Sequence, residues 1–172
     1  DPSSAAFLAL LDTLLVEDGA PRPAEQLSRA EQELADDALR ALAITFAAND
    51  GAETLQAALD AHGATPYEWQ LYAALGDLFV EKERFQDGAE AYRAFAGRQP
   101  MHPQAPHLLL RATEAYARGG FASLVLDGKR QLATDYGPGS VYWNAHPAGL
   151  EPAVATAVQA SLLDLARHHH AL

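Results

Sequence analysis

Apolar residues recur along nearly the whole chain at intervals of three and four, and turns rich in Gly, Pro, Asn and Asp interrupt the pattern. This period is typical of amphipathic helices, whereas a strand requires alternation of apolar and polar residues, and no stretch alternates for long enough to predict one. Ala and Leu, both strong helix formers, dominate the composition, while aromatic residues make up 8%. The sequence therefore predicts an all-α fold. The predicted helices are 5–16, 24–48, 52–61, 66–82, 85–98, 106–118, 121–136 and 152–172.

Two details of these helices are predicted from single residues. The second helix is expected to break near 35–37, because the adjacent carboxylates of Asp36 and Asp37 favour a helix start. At a helix start, negative charge meets the positive end of the helix dipole. Thr65 is expected to cap the fourth helix, since Pro66 suits a first turn and Glu68 follows three residues after Thr65. That arrangement is close to a capping box.

One segment carries a motif that helical periodicity alone does not explain. It reads Tyr72-x-x-Leu75-Gly76-x-x-Phe79, followed by Phe85, Gly88, Tyr92 and Pro100. This order resembles the tetratricopeptide repeat, a unit of about 34 residues in which aromatic and small residues alternate on two helices and Pro closes the unit. The small residues lie where the two helices cross closely, and the aromatics fill the space around them. Phe95 departs from the family, which usually has Ala there, and predicts looser or altered packing at that point.

The first-helix pattern of this motif recurs more weakly along the chain. Any amphipathic helix places apolar residues three, four and seven positions apart, so this pattern alone does not identify a repeat. The evidence for a repeat comes from the spacing between units, the small residue at the position that corresponds to Gly76, and the closing Pro. The first residue of each copy, here called the lead residue, is Leu8, Leu39, Tyr72, Leu109 and Leu162. Successive lead residues are 31, 33, 37 and 53 positions apart. Three of these four intervals are near the family's period. The resemblance implies one helical-repeat domain over 1–172, with units at approximately 5–35, 36–62, 66–102 and 103–136, a half unit at 150–172 and an insert at 137–149.

Family membership would imply helical hairpins stacked in a right-handed superhelix, an α-solenoid. A non-repetitive helical bundle is the alternative that the residues leave open. The chain opens at Asp1 without Met, and its last helix looks like half of a repeat, so we expect a fragment of a longer protein. Large bacterial envelope and assembly proteins often carry degenerate repeats with long inserts. That analogy favours the periplasm or cell envelope over the cytoplasm.

In this family the first helices of successive units line a concave groove that receives a peptide or a partner helix. The resemblance implies that the groove is lined by Arg40, Ile44, Asp77, Glu81, His107, Glu114 and Arg118. Members that grip a C-terminal carboxylate use Lys, Arg and Asn in this groove, whereas this chain has three acidic residues there. We therefore expect a basic or amphipathic ligand. The alternative is that these residues simply form solvated helix faces.

The insert carries the aromatics Tyr142 and Trp143, which have two interpretations. They form an interaction loop, with Trp143 as its hot spot if exposed, or they pack back over the last helix. The tract His168–His170 suggests a metal site or an affinity-tag remnant, but consecutive helical residues point about 100° apart and do not converge on one ion. His169 is expected to pack in place of the family's aromatic residue.

The net charge and the absence of known catalytic motifs limit the classes of function that the sequence predicts. The net charge is -11, and residues 1–62 hold 12 acidic and 3 basic side chains, which disfavours nucleic acid and suits either a basic partner or plain solubility. The absence of Cys excludes disulfides and thiolate chemistry. There is no Gly-x-Ser-x-Gly, no His-Glu-x-x-His and no Gly-rich phosphate loop, so we predict neither enzymatic activity nor a cofactor or metal. No apolar stretch is long enough to span a membrane.

The sequence thus predicts a non-enzymatic scaffold that binds a peptide or helix of a protein partner. The alternative is a self-associating structural module, because the terminal half repeat leaves apolar surface at 153–166 and favours a homo-oligomer. A helical enzyme or ligand-binding bundle is a third class, and it would require a closed pocket with convergent polar groups.

Overall fold

A computed structural model describes residues 2–170, apart from the side chain of His170. Its regular structure is almost entirely helical, which confirms the all-α prediction. The helices are α1 (Pro2–Leu15), α2 (Arg29–Ala47), α3 (Ala52–His62), α4 (Glu68–Glu81), α5 (Phe85–Arg98), α6 (Ala105–Arg118), α7 (Ala122–Tyr136), α8 (Val141–Ala145) and α9 (Pro152–His170). The described part of the last predicted helix agrees with α9, and residues 171–172 lie outside the description.

The chain divides into two compact units, residues 1–82 and 83–172, and the division falls between α4 and α5, inside the repeat predicted at 66–102. In the first unit α1 packs on α2 and α3, and α4 packs on α2 and α3. Burial of the apolar faces of α1, α2, α3 and α4 forms its core. That core includes Leu8, Leu11, Leu42, Phe46, Leu55 and Leu59.

Helix α1 runs antiparallel to α2. Ser4, near the start of α1, lines the same cleft as Phe46, near the end of α2. At the opposite end, Arg22 Nη1 donates to the Leu14 carbonyl at 3.4 Å and to Glu31 Oε1 at 2.9 Å. Only 13 residues connect α1 to α2, too few for a helix that returns along the 14-residue α1 and for two turns, so α2 itself returns along α1.

The connection between α1 and α2 contains a short hairpin, so the prediction of no strand is wrong there. Strand β1 (Val16–Glu17) pairs antiparallel with β2 (Ala20–Pro21) around Asp18 and Gly19, which have φ values of 51° and 77°. Such positive φ values suit a tight hairpin turn. Two residues per strand are too few for alternation to be visible in the sequence.

The boundaries of α2 also differ from the prediction. Residues Ala24–Gln26 form a separate 3-10 turn, and Ser28 then caps α2 in a capping box with Glu31. The helix continues without interruption through 35–37, so the predicted break is wrong. Ala35 and Ala38 are buried within the unit, which holds this part of the chain in the helix. Asp36 and Asp37, which lie between them, are therefore on the exposed side of a continuous helix.

The predicted cap at Thr65 is wrong as well. Helix α4 begins at Glu68, after Tyr67, and has no side-chain cap. The Tyr67 hydroxyl donates to Asp12 Oδ1 at 2.7 Å and lies 3.1 Å from the Leu8 carbonyl, both in α1. Because the Tyr67 ring is buried, this long-range contact fixes where the helix starts.

In the second unit α6 packs on α5 and α7, and α9 covers α7 and part of α6. The insert predicted at 137–149 contains the short helix α8, whose start is capped by Ser140 Oγ accepting from the Trp143 amide at 3.1 Å. Phe95 is fully buried and meets the His102 ring edge-on at 5.2 Å. Of the two predictions for Phe95, looser packing is therefore wrong, and altered packing stays a prediction. The division into repeats stays a prediction.

Candidate interaction surfaces

Four of the predicted groove residues belong to the first unit, and the structure brings two of them into contact. Arg40 on α2 reaches Glu81 on α4, with its Nη1 3.3 Å from Oε2 and its Nη2 3.4 Å from Oε1. Ile44 lies one turn after Arg40 on α2, and Asp77 lies one turn before Glu81 on α4. Residues four apart share a helix face, so each lies on the same face as its neighbour. Arg40, Ile44, Asp77 and Glu81 are called the α2–α4 surface below.

The chemistry of the α2–α4 surface is mixed. Ile44 is a large aliphatic side chain that is 51% exposed among these charged residues. Both members of the Arg40–Glu81 pair are more than half exposed, so the pair contributes little to stability and mainly orients the two side chains. Asp77 is exposed on α4 and adds negative charge. The surface thus offers one apolar anchor beside charged groups.

The other three predicted groove residues lie along one stripe of α6 in the second unit. His107 Nε2 is 3.0 Å from Glu151 Oε2, just before α9, and Glu114 is exposed. The Arg118 guanidinium lies 5.0 Å from the centre of the Phe85 ring. Arg111, which was not among the predicted groove residues, occupies the same stripe four residues after His107. That spacing was the signal that could have identified it.

Arg111 is the most enclosed cation of this stripe. Its guanidinium lies 4.6 Å from the centre of the Tyr92 ring, and Nη2 donates to the Tyr92 hydroxyl at 3.3 Å. Burial raises the pKa of Tyr92 to about 12, and burial also lowers the pKa of Arg111. We define the α6 stripe as His107, Arg111, Glu114 and Arg118, a mixed surface in which cations outnumber the carboxylate.

The two aromatics of the insert have different surroundings. Tyr142 is only 4% exposed, packs edge-on against Tyr136 with ring centres 4.9 Å apart, and stacks on His146 at 3.9 Å. Trp143 is 37% exposed. Tyr142 therefore anchors the insert to α7, and of the predicted interaction loop Trp143 is the residue that faces solvent, beside the exposed Val141.

The histidine tract does not form a site in the described part of the chain. His168 and His169 are exposed, so the expectation that His169 packs in an aromatic position is wrong. The side chain of His170 lies outside the description. Of the described side chains, no three His, Asp or Glu residues are grouped as a metal ion would require. Within residues 2–170 no helix has both the length and the apolar content needed to cross a bilayer.

Comparison with known proteins adds no functional assignment. The chain matches no protein-family model, no curated protein and no solved structure.

Proposed function

We propose that this protein is a non-enzymatic interaction scaffold built from tetratricopeptide-like hairpins in a right-handed superhelix, and that it binds a peptide or helix of a partner protein. The observation that carries the proposal is the Arg40–Glu81 pair, which joins the faces of α2 and α4 beside the exposed Ile44. Those two helices are the successive first helices of the predicted repeats, and in the family such helices share a ligand-binding face.

The chemistry of the α2–α4 surface favours an amphipathic ligand with basic residues. Ile44 provides an apolar anchor, and interface anchors of this kind account for much of the binding energy when they enter a partner's pocket. Asp77 provides a carboxylate for a Lys or Arg of the ligand. A ligand helix would meet this surface with its apolar face and place its cations toward α4.

The α6 stripe supports the same class of function in the second unit. The guanidinium groups of Arg111 and Arg118 lie against the rings of the buried Tyr92 and the partly buried Phe85, and Arg is enriched among interface hot spots.

The test uses a photo-reactive phenylalanine analogue placed at position 44, with position 25 as the matched control in the same unit. Glu25 is exposed in the 3-10 turn before α2. We expect cross-linking in a lysate of the source organism to label one partner from position 44 and not from position 25. Purified partner is then titrated with the variants Ile44→Glu, Asp77→Lys and Glu25→Lys.

Ile44→Glu is expected to raise the dissociation constant about tenfold or more, because it places a charge in the anchor position. Asp77→Lys should have a smaller effect that grows at low salt, and Glu25→Lys should have none. Circular dichroism establishes that each variant is folded. Equal binding by all three variants would remove the α2–α4 surface from consideration.

A second candidate function is self-association through α9. Two adjacent side chains on its outer surface, Leu162 and Leu163, are 42% and 52% exposed. Adjacent exposed leucines are the kind of apolar patch that oligomer interfaces cover. The oligomeric state in solution separates the two functions, since the scaffold requires no second copy.

A further inference from the structure

The sequence contains four Asp-Gly pairs, at 18–19, 50–51, 87–88 and 127–128. An Asp-Gly pair closes into a five-membered succinimide ring more readily than other pairs, because Gly has no side chain to hinder the approach of its amide nitrogen to the carboxyl group. All four pairs have the same local chemistry, so the fold decides which of them reacts. We propose that Asp18-Gly19 is a site of covalent modification, at which Asp18 converts to isoaspartate in the folded protein.

The hairpin turn leaves both reacting groups of this pair accessible. Asp18 and Gly19 are exposed, and among residues 2–170 the Asp18 carboxylate has no ion-pair or hydrogen-bond partner. The Gly19 amide donates no hydrogen bond to any of these residues, since it lies in the two-residue turn between β1 and β2. A Cβ on Gly19 would meet no described atom within 4 Å, so there is room for the ring.

The pair at 50–51 has the same sequence and also lies in a turn, but its nitrogen is not free. Gly51 is buried, and its amide donates to the Phe46 carbonyl at 2.9 Å. A Cβ on Gly51 would lie 3.3 Å from the Phe79 ring, so this turn is also enclosed. The Gly51 nitrogen therefore reaches the Asp50 carboxyl group only after local unfolding.

The pairs at 87–88 and 127–128 lie inside α5 and α7. Both carboxylates are ion-paired with an arginine three positions away, at 2.7 Å and 3.0 Å. The Gly88 amide donates to the Arg84 carbonyl at 3.0 Å, and Gly128 is buried in the middle of its helix. Because helical hydrogen bonds hold the amide nitrogen, these pairs react only when their helices open.

The reaction needs no reagent other than water. The Gly19 nitrogen attacks Cγ of Asp18 in its carboxylic acid form, so that an N–Cγ bond forms and the Cγ–OH bond breaks. The hydroxyl group leaves with the amide proton as one water molecule. Water then adds to one of the two ring carbonyl carbons and breaks its bond to nitrogen. Opening at Cγ restores Asp18, whereas opening at the backbone carbonyl carbon gives isoaspartate, whose main chain runs through Cβ and Cγ.

The product changes the connection between α1 and α2. Isoaspartate adds one carbon to the main chain of the turn, while the number of carboxylates is unchanged. The length and type of a hairpin turn set the register of its strands, here Val16 opposite Pro21 and Glu17 opposite Ala20. The pairing of β1 with β2 is therefore the part of the structure that this modification weakens.

The experiment ages the whole chain for several weeks in near-neutral buffer, with and without denaturing guanidinium chloride. Isoaspartate is then located by proteolysis at acidic pH and mass spectrometry with electron-transfer fragmentation. In the denaturant all four pairs should react at comparable rates. In the folded chain we expect position 18 to react at least about tenfold faster than each of the other three, which corresponds to an opening free energy of about 1.4 kcal/mol at those positions.

Three variants test the chemistry of the site. Asp18→Glu should abolish the product, because its longer side chain requires a six-membered ring, and Glu83 with φ of 58° shows that Glu adopts this backbone region in the same chain. Asp50→Glu is the matched control and should leave the rate at position 18 unchanged. Asp18→Asn, which suits a hairpin turn, should form the same ring with loss of ammonia and reach isoaspartate faster.

Two results would overturn the proposal. Equal or faster formation of isoaspartate at any of the other three pairs in the folded chain would show that the hairpin does not select the site. Absence of isoaspartate at position 18 in the folded chain would show that the turn protects Asp18, whatever the denatured chain does.

Discussion

Glu31 shows how a single side chain connects the start of α2 to the preceding loop. Its Oε2 accepts from the Ser28 amide and from the Ser28 hydroxyl, both at 2.8 Å, and Arg22 Nη1 lies 2.9 Å from its Oε1. The Ser28 backbone bond contributes most, then the Ser28 hydroxyl and Arg22, and together they lower the pKa of Glu31 from 4.5 to about 2. All three contacts favour the charged form of the carboxyl group.

A pH dependence follows from this lowered pKa. The stabilisation from ionised Glu31 is fully present above the ordinary pKa of 4.5 and is lost as the pH falls toward 2. Urea unfolding between pH 6 and pH 2 should therefore show a smaller acid-induced loss for Glu31→Gln than for the natural chain. Glu25→Gln, in the neighbouring 3-10 turn, is the control and should keep the natural acid dependence. An equal acid-induced loss for Glu31→Gln and the natural chain would contradict this assignment.

At the scale of the elements, close packing of α6 and α7 depends on Gly128. A Cβ at this position would collide with Thr113 Oγ1 and lie 3.3 Å from the Thr113 Cβ and Cγ2 atoms. Both residues are buried in the middle of their helices. Gly lowers the intrinsic stability of a helix, so its presence here is explained by the approach of the neighbouring helix.

Gly128→Ala is expected to lower the free energy of unfolding by about 1–2 kcal/mol, although Ala is the better helix former, because overpacking outweighs that gain. Gly97→Ala is the matched control, since a Cβ there meets open space, and it should stabilise the chain by about 0.5 kcal/mol. Denaturant titration measures both changes. Adding Thr113→Ala should restore most of the loss in the Gly128→Ala variant; no recovery would show that the collision is not the cause.

At the scale of the whole molecule, the two candidate functions differ in what they require of α9. As a scaffold the chain needs only a partner on its α2–α4 surface, and α9 covers α7 and part of α6. As a self-associating module it would bury the outer surface of α9 against another copy, which removes the exposed leucines from water.

Light scattering coupled to size-exclusion chromatography is expected to report a monomer whose mass does not change over a hundredfold range of concentration. Leu163→Arg should leave that mass unchanged and should increase solubility, because it removes an exposed apolar side chain. A concentration-dependent dimer that Leu163→Arg converts to a monomer would instead favour self-association through α9.

Local sequence patterns determined the helices themselves. Apolar periodicity and turn residues act over a few neighbours, so they place most helices within a few residues of the observed bounds. The same patterns put Arg40 and Glu81 on helix faces, and the repeat spacing suggested that they share a surface. Arg111 was missed although its spacing from His107 was visible.

Tertiary contacts decided what local patterns could not. The direction of α1 depends on the short connection to α2, and the start of α4 depends on Tyr67 reaching Asp12 across 55 positions of the chain. The cleft beside Ser4 exists only because three helices meet there. An amphipathic pattern shows that a helix buries one face, but not which distant face covers it, since that choice is made by contacts between residues far apart in the sequence.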